Sequence, residues 1–93
     1  MEKKAKIVAQ LLKILANENR LLILCALASG AKTVGEIGEF IPNITQSALS
    51  QHLNYLKTAS ILSASKNGQY VTYSIADGRV VEVLNTLKKH YCQ

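Results

Sequence analysis

The run from Thr45 to Lys57 carries the side chains best suited to specific recognition. Ser47, Ser50, Gln51 and Asn54 recur at helical spacing and form one face. That face has hydroxyls and amides and no carboxylate, whereas a merely solvated helix face usually mixes Glu with Lys. Short donor–acceptor groups of this kind suit the edges of bases in a DNA groove: Gln can bridge an adenine, and Ser accepts several partners. Gln46, Ser47, Ser50 and Gln51 are therefore the candidates for base edges or adjacent phosphates. Lys57 and Arg20 suit phosphates; Arg20 equally suits a carboxylate inside the fold. His52 shares a stripe with Leu49, Leu53 and Leu56, so packing is its expected role.

Other chemistries find little support. Cys25 and Cys92 are far apart, with no CxxC pair and no Cys/His cluster at zinc-finger spacing. They are inert, or they act together. His52 and His90 occur singly. There is no glycine-rich phosphate loop, no Ser-His-Asp set and no pair of carboxylates in an apolar setting, so an enzyme is not expected. No cofactor is expected either.

The elements around these residues form a consistent series. Ile7, Val8, Leu11, Leu12, Ile14 and Leu15 predict a helix from Lys4 to about Ala16, with an apolar face wide enough for both a core and a partner subunit. Asn17-Glu18-Asn19 caps a second helix, whose stripe is Leu21, Leu24, Cys25 and Ala28. Thr33 and Glu36 have capping-box spacing at the start of a short helix from Val34 to about Phe40. A tight connection through Pro42 then leads to Thr45 and the polar-faced helix. Two short helices joined this way are the helix-turn-helix pattern.

Alternating segments then flank Asn67-Gly68, the strongest short hairpin signal. A hairpin in this position is a wing. It presents Lys66, Asn67 and Gln69 at its tip, with Lys66 suited to a backbone phosphate, Asn67-Gly68 making the turn, and Tyr70 and Tyr73 packing on strand neighbours. A last helix begins at Asp77-Gly78, with Val80, Val83, Leu84, Leu87 and Tyr91 as its stripe. The expected fold is mainly α with a β-hairpin: one winged helix-turn-helix domain over residues 1–93, its helices α1-α2-α3-α4 followed by the wing and a C-terminal α5.

Ninety-three residues with 48% hydrophobic content is more apolar surface than one small core hides, which predicts an oligomer interface. The net charge of +5 and pI near 9.4 imply an acidic partner, nucleic acid foremost. No segment has the length of a membrane span, and the N-terminus does not read as a signal peptide, so a cytoplasmic, membrane-free protein is expected.

Leu15–Leu24, Gln46–Leu53 and Gly68–Ile75 are similar to the corresponding stretches of the ArsR/SmtB family of bacterial winged-helix repressors, and the likeness spans nearly the whole chain. It implies a homodimer built on the first and last helices. It also implies binding to palindromic double-stranded operator DNA and release by an inducer. The Cys-Val-Cys motif of arsenic- and cadmium-type members is absent from Lys32–Glu36, and the zinc-type histidine pattern is absent after Asp77, so no metal ligands are assigned. The cysteine placement instead resembles the dithiol, BigR/SqrR-like branch that senses reactive sulfur and redox state. There the resemblance makes Cys25 and Cys92 the sensing pair, joined directly or through a polysulfide. Two alternatives stay open: a regulator of the same type that answers to a metal, a metalloid or no thiol ligand, and a winged helix used as a protein-interaction module.

Overall fold

Local signals place most of the element boundaries. The computed structural model describes residues 1–91, and Cys92 lies outside the described residues. The order is α1 (Glu2–Leu15), α2 (Glu18–Leu27), β1 (Lys32–Thr33), α3 (Val34–Glu39), α4 (Gln46–Thr58), β2 (Leu62–Asn67), β3 (Tyr70–Ile75) and α5 (Gly78–Tyr91). Asn17 caps α2 by accepting the Arg20 amide at 3.1 Å. Thr33 and Glu36 form the reciprocal capping box at α3, and Thr45 accepts the Ala48 amide at 3.0 Å to start α4. The Thr33 amide and hydroxyl donate to Glu36 and hold its carboxyl below the usual range. At the start of α5, Arg79 holds the Asp77 carboxyl low in the same way, through a two-pronged ion pair.

One apolar core collects a stripe from each of several elements. Ile23 and Leu24 of α2, Ile37 of α3, and Leu49, Leu53 and Leu56 of α4 are buried there with Ile61, Leu62, Val80 and Leu84. The three leucines of α4 are spaced so that only one face of the helix is apolar, and their burial fixes which face turns outward. Leu15 alone is fully buried in α1, which leaves most of that helix exposed.

The sheet differs from the expected simple hairpin in two ways. It has three antiparallel strands in the order β1-β3-β2, with Lys32 opposite Tyr73 and Thr33 opposite Thr72. A two-residue strand is too short to show alternation, so only its pairing with β3 defines it. The wing turn also lies one residue further on than Asn-Gly suggests. Asn67 pairs with Tyr70, which leaves Gly68 and Gln69 as the turn. Gly68 takes φ +63°, while neither Asn67 nor Gln69 has a positive φ. A single positive φ at the first turn position needs only one glycine there, whereas an Asn67-Gly68 turn would force Asn67 into the left-handed region as well. In the observed register Leu62 faces Ile75 and Ala64 faces Tyr73. Tyr73 and Ile75 pack against the core, while Tyr70 stays exposed rather than packing.

Helix α4 ends in a motif that the sequence hides. Ser60 adopts φ +64°, its amide donates to Lys57 O at 3.0 Å, and the Ile61 amide donates to Leu56 O at 2.9 Å. These are the two bonds of a Schellman cap, with buried Ile61 as its apolar residue. Glycine usually occupies the left-handed position, because a Cβ there is strained. Ser60→Gly is therefore expected to raise stability by about 0.5–1 kcal/mol. In thermal unfolding this appears as a melting temperature about 4 °C higher.

Candidate nucleic-acid interface

The leucine underside of α4 turns its polar ridge to solvent. Gln46, Ser47, Ser50, Gln51 and Asn54 are all exposed. None of their side chains hydrogen-bonds another described residue, so their donors and acceptors are available to a partner. Helical spacing divides them into two adjoining rows. Ser47, Gln51, Asn54 and Thr58 form one, and Gln46, Ser50 and Lys57 form the other. Thr58 extends the ridge beyond the face assigned from sequence, and its spacing of eleven residues from Ser47 is the signal for it. Helix α4 has no acidic residue in its first turn. His52 is half-buried beside the leucines, as its stripe implied.

The wing supplies the second set. Lys66 and Asn67 end β2, Gln69 lies in the turn, and all three are exposed. Asn67 is a paired strand residue rather than part of the turn. Neither Lys57 nor Lys66 forms an ion pair with a described residue; the one salt bridge among those residues is Arg79–Asp77 at 2.7 Å. Their charge therefore remains open to phosphate oxygens. Lys66→Ala is expected to weaken binding to every duplex alike and to lower the slope of log affinity against log salt by about one. An anisotropy titration across salt concentrations measures both.

Arg20 is engaged within the fold, though not by the carboxylate that it equally suits. It pairs with no carboxylate among the described residues. Its Nε donates to Ile14 O at 2.6 Å, and its guanidinium lies 4.6 Å from the centre of the Tyr55 ring on α4. Sequence reasoning does not reach these partners, because a backbone carbonyl and a ring on separate helices leave no local pattern.

Cys25 sits half-buried on α2, packed at the edge of the core. Among the described residues no group of three or more His, Cys, Asp or Glu is placed to hold a metal ion. No described helix is long and apolar enough to cross a membrane.

Comparison with known proteins agrees with this arrangement. Residues 17–64 match the family described as bacterial regulatory protein, arsR family. The transcriptional activator HlyU of Vibrio cholerae is 39% identical over 93 residues, covering 100% of this chain and 85% of its own. The biofilm growth-associated repressor of Xylella fastidiosa is 35% identical over 92 residues, covering 99% of this chain and 80% of its own. The structure of reduced HlyU from Vibrio cholerae superposes with a TM-score of 0.92 at 39% identity, covering 100% of this chain and 97% of that one. These relatives are regulators by name, not enzymes. The exposed ridge on α4 is thus the second helix of a helix-turn-helix, and the chain belongs to the arsR family of bacterial DNA-binding transcriptional regulators.

Proposed function

We propose that this protein is a homodimeric repressor that occupies a palindromic operator and leaves it when Cys25 and Cys92 are joined. The observation that carries the DNA part is the unpartnered hydroxyl and amide ridge of α4, held outward by Leu49, Leu53 and Leu56. Gln46, Ser47, Ser50 and Gln51 meet base edges and nearby phosphates, while Lys57, Lys66, Asn67 and Gln69 fix the register on the backbone.

The dimer is supported by exposed apolar side chains on the first and last helices. Ile7, Val8 and Leu12 of α1 are 55%, 52% and 54% exposed, and Leu87 and Tyr91 of α5 are exposed as well. An apolar surface of this kind marks an association face. Two copies would set two reading helices at a fixed separation, and a palindrome mirrors that symmetry.

The switch draws on the position of Cys25 beside the core and on the likeness to the dithiol branch. The similar HlyU structure is of the reduced protein. A persulfide, RSSH, transfers its outer sulfur to one thiol, giving a protein persulfide and RSH. The second thiolate attacks the inner sulfur and expels hydrosulfide. Overall, RSSH and two thiols give one disulfide, RSH and H₂S; a peroxide gives the same disulfide and two waters. The new bond ties the chain following α5 to α2 and changes the angle between the two reading helices.

The test is a gel shift on palindromic duplex before and after persulfide treatment, with intact mass in parallel. The unaltered protein is expected to lose the mass of two hydrogen atoms and release the DNA. Cys25→Ser is expected to bind DNA normally and to stay bound after treatment. Release by the Cys25→Ser protein would rule out the thiol switch while leaving the DNA-binding assignment intact.

A further inference from the structure

We infer that Arg20 and Tyr55 form a positioning device that sets the tilt of the reading helix against α1. Arg20 comes from α2 and reaches both neighbours. Its Nε and Nη2 donate to Ile14 O at 2.6 Å and Lys13 O at 3.4 Å. Those carbonyls belong to the last turn of α1, where the helix dipole is negative and attracts a cation. The same guanidinium stacks at 4.6 Å on Tyr55, which belongs to α4. Asn17 holds the Arg20 amide at 3.1 Å and fixes where the side chain starts. One residue thus ties three helices together.

The remainder of the seam between α1 and α4 is loosely filled. A surface hollow of about 420 Å³ lies there, lined by Gln10, Lys13, Ile14, Tyr55, Thr58 and Ala59. Tyr55 is itself 47% exposed, so it is not held as a core residue. The stacked pair spans a gap that apolar packing does not close.

Tyr55 is well placed to act as a lever. It lies two turns beyond Ser47, about 12 Å along the helix axis. A tilt of about 10° around Tyr55 moves the start of the ridge by about 2 Å. Hydrogen bonds to base edges tolerate only about 0.5 Å of spread, so a shift of that size breaks them. The pair therefore governs how well the ridge meets DNA without touching DNA itself. This inference rests on the DNA-binding reading above.

The experiment uses a palindromic duplex that the unaltered protein selects from a random-sequence pool, with variants whose half-sites are one base pair closer or further apart. Affinity, salt slope and dimer mass are measured for Tyr55→Phe, Tyr55→Leu, Arg20→Lys and the Tyr55→Leu/Arg20→Lys pair. Tyr55→Phe keeps the ring and is expected to bind within twofold of the unaltered protein. Tyr55→Leu is expected to bind at least tenfold more weakly and to lose its preference among spacings, with dimer mass and salt slope unchanged. Adding Arg20→Lys to Tyr55→Leu is expected to cost nothing further. Equal loss in Tyr55→Phe, retained spacing preference in Tyr55→Leu, or additive losses in the pair would each overturn the device. If the Arg20 variants do not fold, the two Tyr55 variants decide the matter alone. An unaltered protein that selects no duplex overturns the DNA-binding reading and this inference together.

Discussion

Ser50→Glu is expected to lower affinity for duplex DNA at least about 100-fold while leaving the fold intact. Ser50 is exposed on α4 and makes no side-chain hydrogen bond to a described residue, so nothing in the fold depends on its hydroxyl. A carboxylate there would face phosphates and base acceptors in a groove of strongly negative potential. Like charges brought together at an interface cost several kcal/mol, and about 2.7 kcal/mol already corresponds to 100-fold. Anisotropy with a labelled palindromic duplex measures the loss, and thermal unfolding checks that stability changes by no more than about 0.5 kcal/mol. Ser50→Ala would lose far less, because it removes one contact without adding repulsion.

The second large effect concerns assembly. A Val8→Glu/Leu12→Glu protein is expected to be monomeric in sedimentation and to lose at least about 100-fold in affinity for a two-half-site duplex. Both side chains are more than half exposed in the single chain and lie one turn apart on α1. Burying two carboxylates in an apolar interface is strongly unfavourable, so the proposed dimer face would be refused. A monomer engages one half-site and forfeits the gain from a tethered second contact. Affinity for an isolated half-site should change little, and this separates lost assembly from a damaged reading helix.

The sequence made some features of the fold easier to infer than others. The leucines at 49, 53 and 56 determine which face of α4 is hidden, and the ridge follows from what remains. Thr33 with Glu36, Asn17 and Thr45 announce helix starts because capping is a local bond between near neighbours. The hairpin is evident in the sequence, but its turn lies one residue beyond the position that Asn67-Gly68 predicts. Asn-Gly favours one turn type, whereas the register that sets Leu62 against Ile75 prefers another. Strand β1 is two residues long and exists only through its partner. The cap at Ser60 carries no glycine to announce it. The charge of Arg20 suits an anion, and nothing local announces the carbonyls and the aromatic ring that tertiary packing brings to it. Of the two thiols, Cys25 took its expected place on α2, and Cys92 lies outside the described residues.

The most direct test of the DNA-reading ridge is a two-dimensional amide NMR titration with a palindromic duplex. Shifts concentrated at Gln46–Asn54 and at Lys66–Gln69, with the α1 face of Val8 and Leu12 unmoved, are the predicted result. Shifts confined to other surfaces, with the amides of Ser47, Ser50 and Gln51 unchanged at saturating duplex, would contradict it.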